Sequence, residues 1–324
     1  MKYRTLGRTG LSVSEIGFGA WGIGGRTVGE TSYGDTDDAT SLAALKRAAD
    51  RGINFFDTSS AYGNGHSEEL IGRAFAGAAR ASVIVATKAG YESWDKAPDF
   101  SATSIVASAE RSLRRLRFDY IDLFQLHNPP LDALRRPDLQ EALARLIKDG
   151  KARSWGISAK GPQQALEALE AVDVPAVQAN LNMMDVRAVT SGLLERTAAG
   201  RVGFIARTPL CFGFLTGAIT RSTRFPPGDH RLGWPRPQLD NWIDGAQEIL
   251  AAVQAPAGLA AVRAALRFCL AFDAVATVIP GILTPTEADQ NASGADGALA
   301  PEAVAAVLAI NRRRQFFVAP ARNA

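Results

Sequence analysis

The chain has 324 residues, 47% apolar and 21% charged, which excludes a fibrous repeat or a largely disordered chain and points to a globular fold with a sizeable core. Thirty-six basic against 33 acidic side chains leave a net charge of +3 with the signs interspersed, so there is no nucleic-acid footprint, and the one basic cluster, "RRR" at 312–314, reads as a solvated helix end. Cys211 and Cys269 lack disulfide or metal-ligand spacing, no apolar run approaches the ~18 residues a bilayer needs, and the first residues hold no apolar leader, so the expected location is the cytoplasm.

The first element in chain order is "YRTLGRTGLSVSEI", where Gly-Arg-Thr-Gly separates two alternating runs and predicts a β-hairpin that caps the closed end of a barrel. Eight short apolar runs follow as strands: 15–19, 53–57, 82–88 and 120–127, then 152–158, 176–180, 202–208 and 275–281. Between them lie segments of helical spacing, such as Leu42, Leu45, Ala48 and Ala49, or Leu139, Leu143, Leu146 and Ile147. Gly52 and Gly150 close two of these, because a left-handed C-cap favours a residue without Cβ. The segment 211–240 is too long and too rich in Pro and Gly for a simple connection, and the tail from about 313 has no period. Eight βα units without a linker predict an α/β fold, one (β/α)8 TIM barrel over 1–324 with an N-terminal β-hairpin and a long loop after strand seven.

In such a barrel the βα loops converge at the carboxyl ends of the strands, so the last residue of each strand faces the active-site mouth. Here those ends supply Asp57, Lys88, His127, Ser158, Gln178 and Arg207, with Tyr62 five residues past the second strand. Each has a plainer reading: Asp57 could cap a turn, Lys88 could leave for solvent, and His127 or Tyr62 could serve packing. Together they form equipment for proton transfer. A tyrosine with a pKa near ~10 donates a proton well when an ammonium stabilises its anion, a carboxylate holds that ammonium, and an imidazole orients the substrate oxygen. No side chain donates hydride, so carbonyl reduction implies a nicotinamide cofactor. His66, followed by Glu68 and Glu69, reads as a local cap or surface contact. "GFGAWG" at 17–22 formally matches a dinucleotide-binding motif, but the helix-hostile "IGGRTVGETSYGD" after it fails the required context.

With "GINFFDTSSAYGNGHSEELIGRAF", "VIVATK", "SLRRLRFDYIDLFQLHNP", "GKARSWGIS", "TPLCFGFLTG" and "VIPG" in hand, the chain resembles the aldo-keto reductases over nearly its whole length. The resemblance implies a barrel that binds NADPH, sometimes NADH, with Asp57, Tyr62, Lys88 and His127 as the catalytic tetrad and Tyr62 as general acid. It also implies cofactor contacts at Trp21, Asp57, Ser158, Gln178, Arg207, Thr208, Pro209, Leu210, Gly213, Gly281, Glu287 and Asn291, Trp21 also walling the substrate pocket. Ser158 and Gln178 would meet the carboxamide, and Arg207 stands where an aromatic ring often stacks on the nicotinamide. The 211–240 loop would close over the pyrophosphate. Three positions depart from the family: Ala159 stands for Asn, Leu283 for a basic partner of the 2′-phosphate, and Glu287 for Gln. NADP(H) is expected over NAD(H), with Arg221 or Arg224 compensating for Leu283. The expected substrate is a small aldehyde, ketone or sugar-like carbonyl, with no nucleic acid or membrane as partner; oligomeric state is left open. The mouth loops 22–38, 89–101, 128–132 and 211–240 and the tail would set specificity. The alternatives are a cofactor-binding regulatory subunit, like the potassium-channel β subunits that resemble this family, and a lyase or isomerase without hydride transfer.

Overall fold

The computed structural model describes residues 1–26 and 32–318, so parts of the 22–38 loop and of the tail lie outside the described residues. Strands β1 (Tyr3–Thr5) and β2 (Ser12–Ser14) pair antiparallel, Tyr3 opposite Ser14, through a 3-10 turn at Gly7–Thr9. Gly7 has φ 49°, and a Cβ on it would lie 2.2 Å from the Gly203 nitrogen, so only glycine lets the hairpin press its backbone onto the barrel. Leu6, Leu11 and Val13 are buried with Phe55, Ala86, Leu123, Ala176 and Ile205, which plugs the amino-terminal end with apolar side chains.

Eight parallel strands follow: β3 (Phe18–Gly19), β4 (Phe55–Asp57), β5 (Ile84–Ala89), β6 (Ile121–His127), β7 (Ala152–Ser158), β8 (Ala176–Asn180), β9 (Gly203–Arg207) and β10 (Val275–Ile279). Each pairs with its sequence neighbour, and bridges Ile16–Val278 and Gly19–Gly281 bring the first strand against the last, closing the (β/α)8 barrel. The first strand is shorter than the expected 15–19. A Cβ on Gly19 would lie 2.9 Å from the Pro280 carbonyl oxygen, so the closing seam depends on a bare backbone that packs closely and pairs only locally.

Helices lie between the strands, as the spacing predicts. Asp50 ends one and Lys148 another, with Gly52 at φ 84° and Gly150 at φ 72° just beyond. "GFGAWG" runs into a 3-10 turn, Gly22–Gly24, and among the described residues the next helix begins at Asp38, so the motif itself does not open a helix. Two expectations need correction. The 211–240 segment is not irregular to its end, because helix Arg236–Ala252 begins inside it; the prolines that read as loop sit at its N-cap and first turn, where a missing N–H costs nothing. The "RRR" cluster is not simply solvated, since Arg313 and Arg314 pair with Glu248 on that helix. The chain past 313 docks there too, Gln238 Nε2 donating to the Phe316 carbonyl at 2.7 Å over a buried Phe316 ring. Among the described residues no helix is long and apolar enough to cross a membrane.

Candidate active site

The carboxyl ends of β4, β5 and β6 deliver Asp57, Lys88 and His127 to one place, and the turn after β4 brings Tyr62 to join them. That turn holds its position through Gly63, where φ is 60° and a Cβ would lie 2.2 Å from the Gly24 carbonyl oxygen. Lys88 is fully buried, and its Nζ donates to Asp57 Oδ1 at 2.5 Å, to the Thr58 carbonyl at 2.8 Å and to Tyr62 Oη at 3.3 Å. The other carboxylate oxygen, Asp57 Oδ2, accepts from Gln178 Nε2 at 2.7 Å and Gln125 Nε2 at 3.0 Å. Ser158 Oγ in turn donates to Gln178 Oε1 at 3.4 Å.

Burial pulls the Lys88 pKa down, but Asp57 and Tyr62 outweigh it and the net direction is upward, so the side chain stays an ammonium. Tyr62 is also raised: burial dominates, Asp57 adds to it, and Lys88 and Arg207 oppose it without prevailing. The expected lowering by Lys88 is therefore present but smaller than desolvation, and the phenol keeps its proton through neutral pH. His127 is held well below 6.5 by burial, with Lys88 and Arg207 adding, and is a neutral imidazole. Its Nδ1 is 3.4 Å from Ser59 Oγ, and the rings of Tyr91 and Trp94 pack on it at 5.4 and 5.3 Å. His66 stands apart: Nδ1 meets the Gly24 carbonyl at 3.1 Å and Nε2 meets Asp38 at 3.0 Å, so it is not the local cap expected but ties its helix to the segment after β3 and to the helix that begins at Asp38.

The other expected residues fall into two groups beside this centre. At the end of β9, Arg207 Nη2 donates to the Ala159 carbonyl at 2.8 Å while its Nε is buried without a partner, and Thr208 Oγ1 donates to Asn180 Oδ1 at 3.2 Å. Thr208, Cys211, Phe212 and Gly213 all have positive φ, flanking half-buried Leu210. At the closing seam, Gly281 is exposed and its carbonyl accepts from Asn291 Nδ2 at 3.4 Å. Glu287 is engaged in a capping box with Thr284, its carboxylate accepting from the Leu283 and Thr284 amides at 2.6 and 3.2 Å. Trp21 packs on Tyr33 and His230 at 5.4 and 4.7 Å, and Phe212 closes the same cluster against His230. The His230 amide donates to the Ser32 carbonyl and Tyr33 bridges Asp229, so the loop after β9 is strapped onto the loop after β3. Among the described residues no group of His, Cys, Asp and Glu is placed to hold a metal ion.

Gln125 and Ser59 are the residues around the tetrad that the sequence reading missed, whereas Tyr33, Tyr91, Trp94 and His230 lie in the mouth loops it expected to set specificity but were not singled out. For Gln125 a signal existed, because period-two alternation sets it on the same face as His127.

His230 has a measurable consequence. Burial pulls it from 6.5 to about 4, with Asp229 opposing and Arg231 assisting. The unfolded chain takes up a proton as pH falls through about 6.5 while the folded chain does not until about 4, so stability is full above that window and lost within it. At most about 3 kcal/mol is at stake. The melting midpoint is expected to fall from pH 7 to 4, less steeply in His230→Gln, and an unchanged slope in that variant would sink the assignment.

The comparisons agree with the geometry. The family model "Aldo/keto reductase family" matches residues 15–312. Aldo-keto reductase YhdN of Bacillus subtilis (strain 168) is 31% identical over 278 residues, covering 83% of this chain and 81% of that protein. A probable voltage-gated potassium channel subunit beta of Arabidopsis thaliana is 30% identical over 312 residues, covering 91% and 92%. The holo structure of aldo-keto reductase AKR11C1 from Bacillus halodurans superposes with a TM-score of 0.76 at 28% identity, over 96% of both chains. Family members are oxidoreductases of carbonyl or sugar substrates that use NAD(P)H. A closed parallel barrel with Asp57, Tyr62, Lys88 and His127 gathered at its carboxyl mouth, matched along nearly its whole length, places this chain in the aldo/keto reductase family.

Proposed function

We propose that this chain, a single barrel domain, is an NAD(P)H-dependent reductase that converts an aldehyde, ketone or sugar-like carbonyl to an alcohol, with Tyr62 as general acid. The observation that supports this best is the ammonium of Lys88 set between Asp57 and the Tyr62 hydroxyl, at 2.5 and 3.3 Å, beside a neutral His127. Tyr62 gives its proton to the carbonyl oxygen, Lys88 stabilises the phenolate left behind, Asp57 holds Lys88, and the imidazole orients the oxygen. When bound, the nicotinamide cofactor supplies the hydride.

The residues present fit such a cofactor. With Gln178 Nε2 committed to Asp57, Gln178 Oε1 and Ser158 Oγ form a polar edge suited to a carboxamide. The unpartnered Arg207 Nε and the left-handed residues Thr208, Cys211, Phe212 and Gly213 suit the nicotinamide and the pyrophosphate. Gly281, Glu287 and Asn291 would face the adenosine end.

The expected preference for NADP(H) over NAD(H) rests on Arg221 or Arg224 standing in for Leu283. Arg221 pairs with Asp244 at 2.8 Å and Arg224 Nη1 donates to main-chain carbonyls, so either would have to leave an exposed contact to reach a 2′-phosphate. The Glu287 carboxylate already caps the amides at Leu283 and Thr284, a setting that suits ribose hydroxyls and repels a 2′-phosphate. Fluorescence titration is expected to show NADH binding at least as tightly as NADPH; clearly tighter NADPH would overturn this. A panel of carbonyl compounds followed by loss of NAD(P)H absorbance tests the activity itself. The regulatory-subunit reading draws on the potassium-channel relatives, and cofactor binding with no turnover across that panel would favour it.

A further inference from the structure

The tetrad accounts for one oxygen of Asp57, and the second is held by residues outside it. Oδ1 meets Lys88, whereas Oδ2 accepts from Gln178 and from Gln125. Gln125 lies on β6, 1% exposed, in register with Lys88 on β5 and two residues before His127, so all three face the barrel interior. Its Oε1 accepts from Gln178 Nε2 at 3.3 Å, so both ends of the amide are committed. The reverse orientation would set its oxygen against a carboxylate oxygen, and the charge of Asp57 therefore fixes which end points where.

Packing alone does not call for an amide here. A buried amide loses its hydration, and a leucine of similar size would fill the same space without that cost. What the amide adds is a second donor on Asp57 Oδ2. With Oδ2 gripped from two sides, the carboxylate cannot rotate away from Lys88, and Nζ stays between Asp57 and the Tyr62 hydroxyl.

We propose that Gln125 is a positioning residue for proton donation, acting through Asp57 and Lys88 on Tyr62. The proposal rests on the reading of Tyr62 as proton donor. Of the charged and titratable groups, Asp57 on β4 meets Gln125 directly, Lys88 on β5 stands opposite it and His127 lies two residues on along its strand, while Tyr62 and Arg207 act on this centre through Asp57, Lys88 and His127.

Two variants test it. Gln125→Leu keeps the volume and removes the donor; Gln178 still satisfies Asp57 Oδ2, so no buried charge is orphaned. The turnover number is expected to fall about tenfold or more, since small misplacements of a reacting group carry penalties of that order. The KM for the carbonyl substrate and the dissociation constant of NADH by fluorescence titration are expected to stay within about twofold. The melting midpoint is expected not to fall, and the solvent deuterium isotope effect on turnover to rise. Gln125→Glu has the same length. Protonated, its carboxyl donates to Asp57 as the amide does; ionised, it sets two carboxylates face to face. Its turnover is expected to lie near the parent's at low pH and to descend toward the leucine variant's as pH rises, a profile that a purely structural role does not produce.

Parental turnover in Gln125→Leu overturns the proposal. So does a loss that accompanies a lowered melting midpoint and is equal in Gln125→Glu at every pH. Tyr62→Phe measured in parallel separates the two levels: if it retains turnover, the donor reading and this proposal fall together. If it is inactive while Gln125→Leu runs at the parental rate, only the role of Gln125 is lost.

Discussion

Tyr62→Phe is expected to lower carbonyl turnover by about a thousandfold or more, the scale of removing a positioned general acid, while NAD(P)H affinity stays within about twofold. The ring packs as before, because only the hydroxyl is deleted; what disappears is the proton. Lys88 cannot replace it: Asp57 and Tyr62 hold that ammonium above its ordinary pKa, which makes it a poor acid at neutral pH. His127 cannot either, since burial and two neighbouring cations keep its imidazole neutral. Water is a weak substitute in a mouth where Tyr91 and Trp94 pack directly on the histidine ring. Turnover within about tenfold of the parent would mean that another group donates, and His127 with its hydrogen-bonded Ser59 would be the next to examine. The pH profile adds a second check. Burial outweighs Lys88 in setting the Tyr62 pKa, so reduction by the parent enzyme is expected to hold its rate to alkaline pH before the phenol ionises.

Much of this centre is legible in the sequence because a buried parallel strand is a run of apolar residues, and a polar residue at the end of such a run has few places to go. "INFFD", "VIVATK" and "YIDLFQLH" each announce one tetrad member in that way. Gln125 sits inside the last of these runs and is harder to interpret. Alternation assigns its face, but its partner Asp57 is 68 residues away, and nothing local says that an amide there serves a carboxylate. The strap over the mouth is less visible still. It rests on a bridge between Tyr33 and Asp229, the His230–Ser32 main-chain hydrogen bond and four rings from two loops that meet at a tilt or edge-on, contacts that leave no periodic trace. The helix that begins at Arg236 is hidden for a different reason: Pro235 and Pro237 signal a break along a chain, yet at an N-cap and a first turn they signal a beginning. Glu287 reads as a ligand-facing residue by resemblance, whereas Thr284 three residues before it is a capping-box pattern that the sequence also carries.

Lys88→Met is expected to remove nearly all activity and also to destabilise the fold, and the two losses separate in a double variant. Lys88 and Asp57 are 0% and 2% exposed, so the pair has given up its hydration and depends on mutual attraction to recover it. Methionine leaves the carboxylate in the barrel interior with two amide donors and no cation. Breaking a buried pair from one side costs about 3–5 kcal/mol, which for a chain of this size is a fall in melting midpoint of roughly 10 °C. Adding Asp57→Asn removes the stranded charge while Gln125 and Gln178 still find an oxygen to donate to, so the double variant is expected to recover most of the midpoint. Activity is expected not to return, because Tyr62 then has no ammonium to stabilise its phenolate, and burial alone raises the cost of giving up the proton. A single variant that melts with the parent would show that the pair is not desolvated as its burial implies. A double variant that regains turnover would show that Lys88 serves the fold rather than the proton transfer.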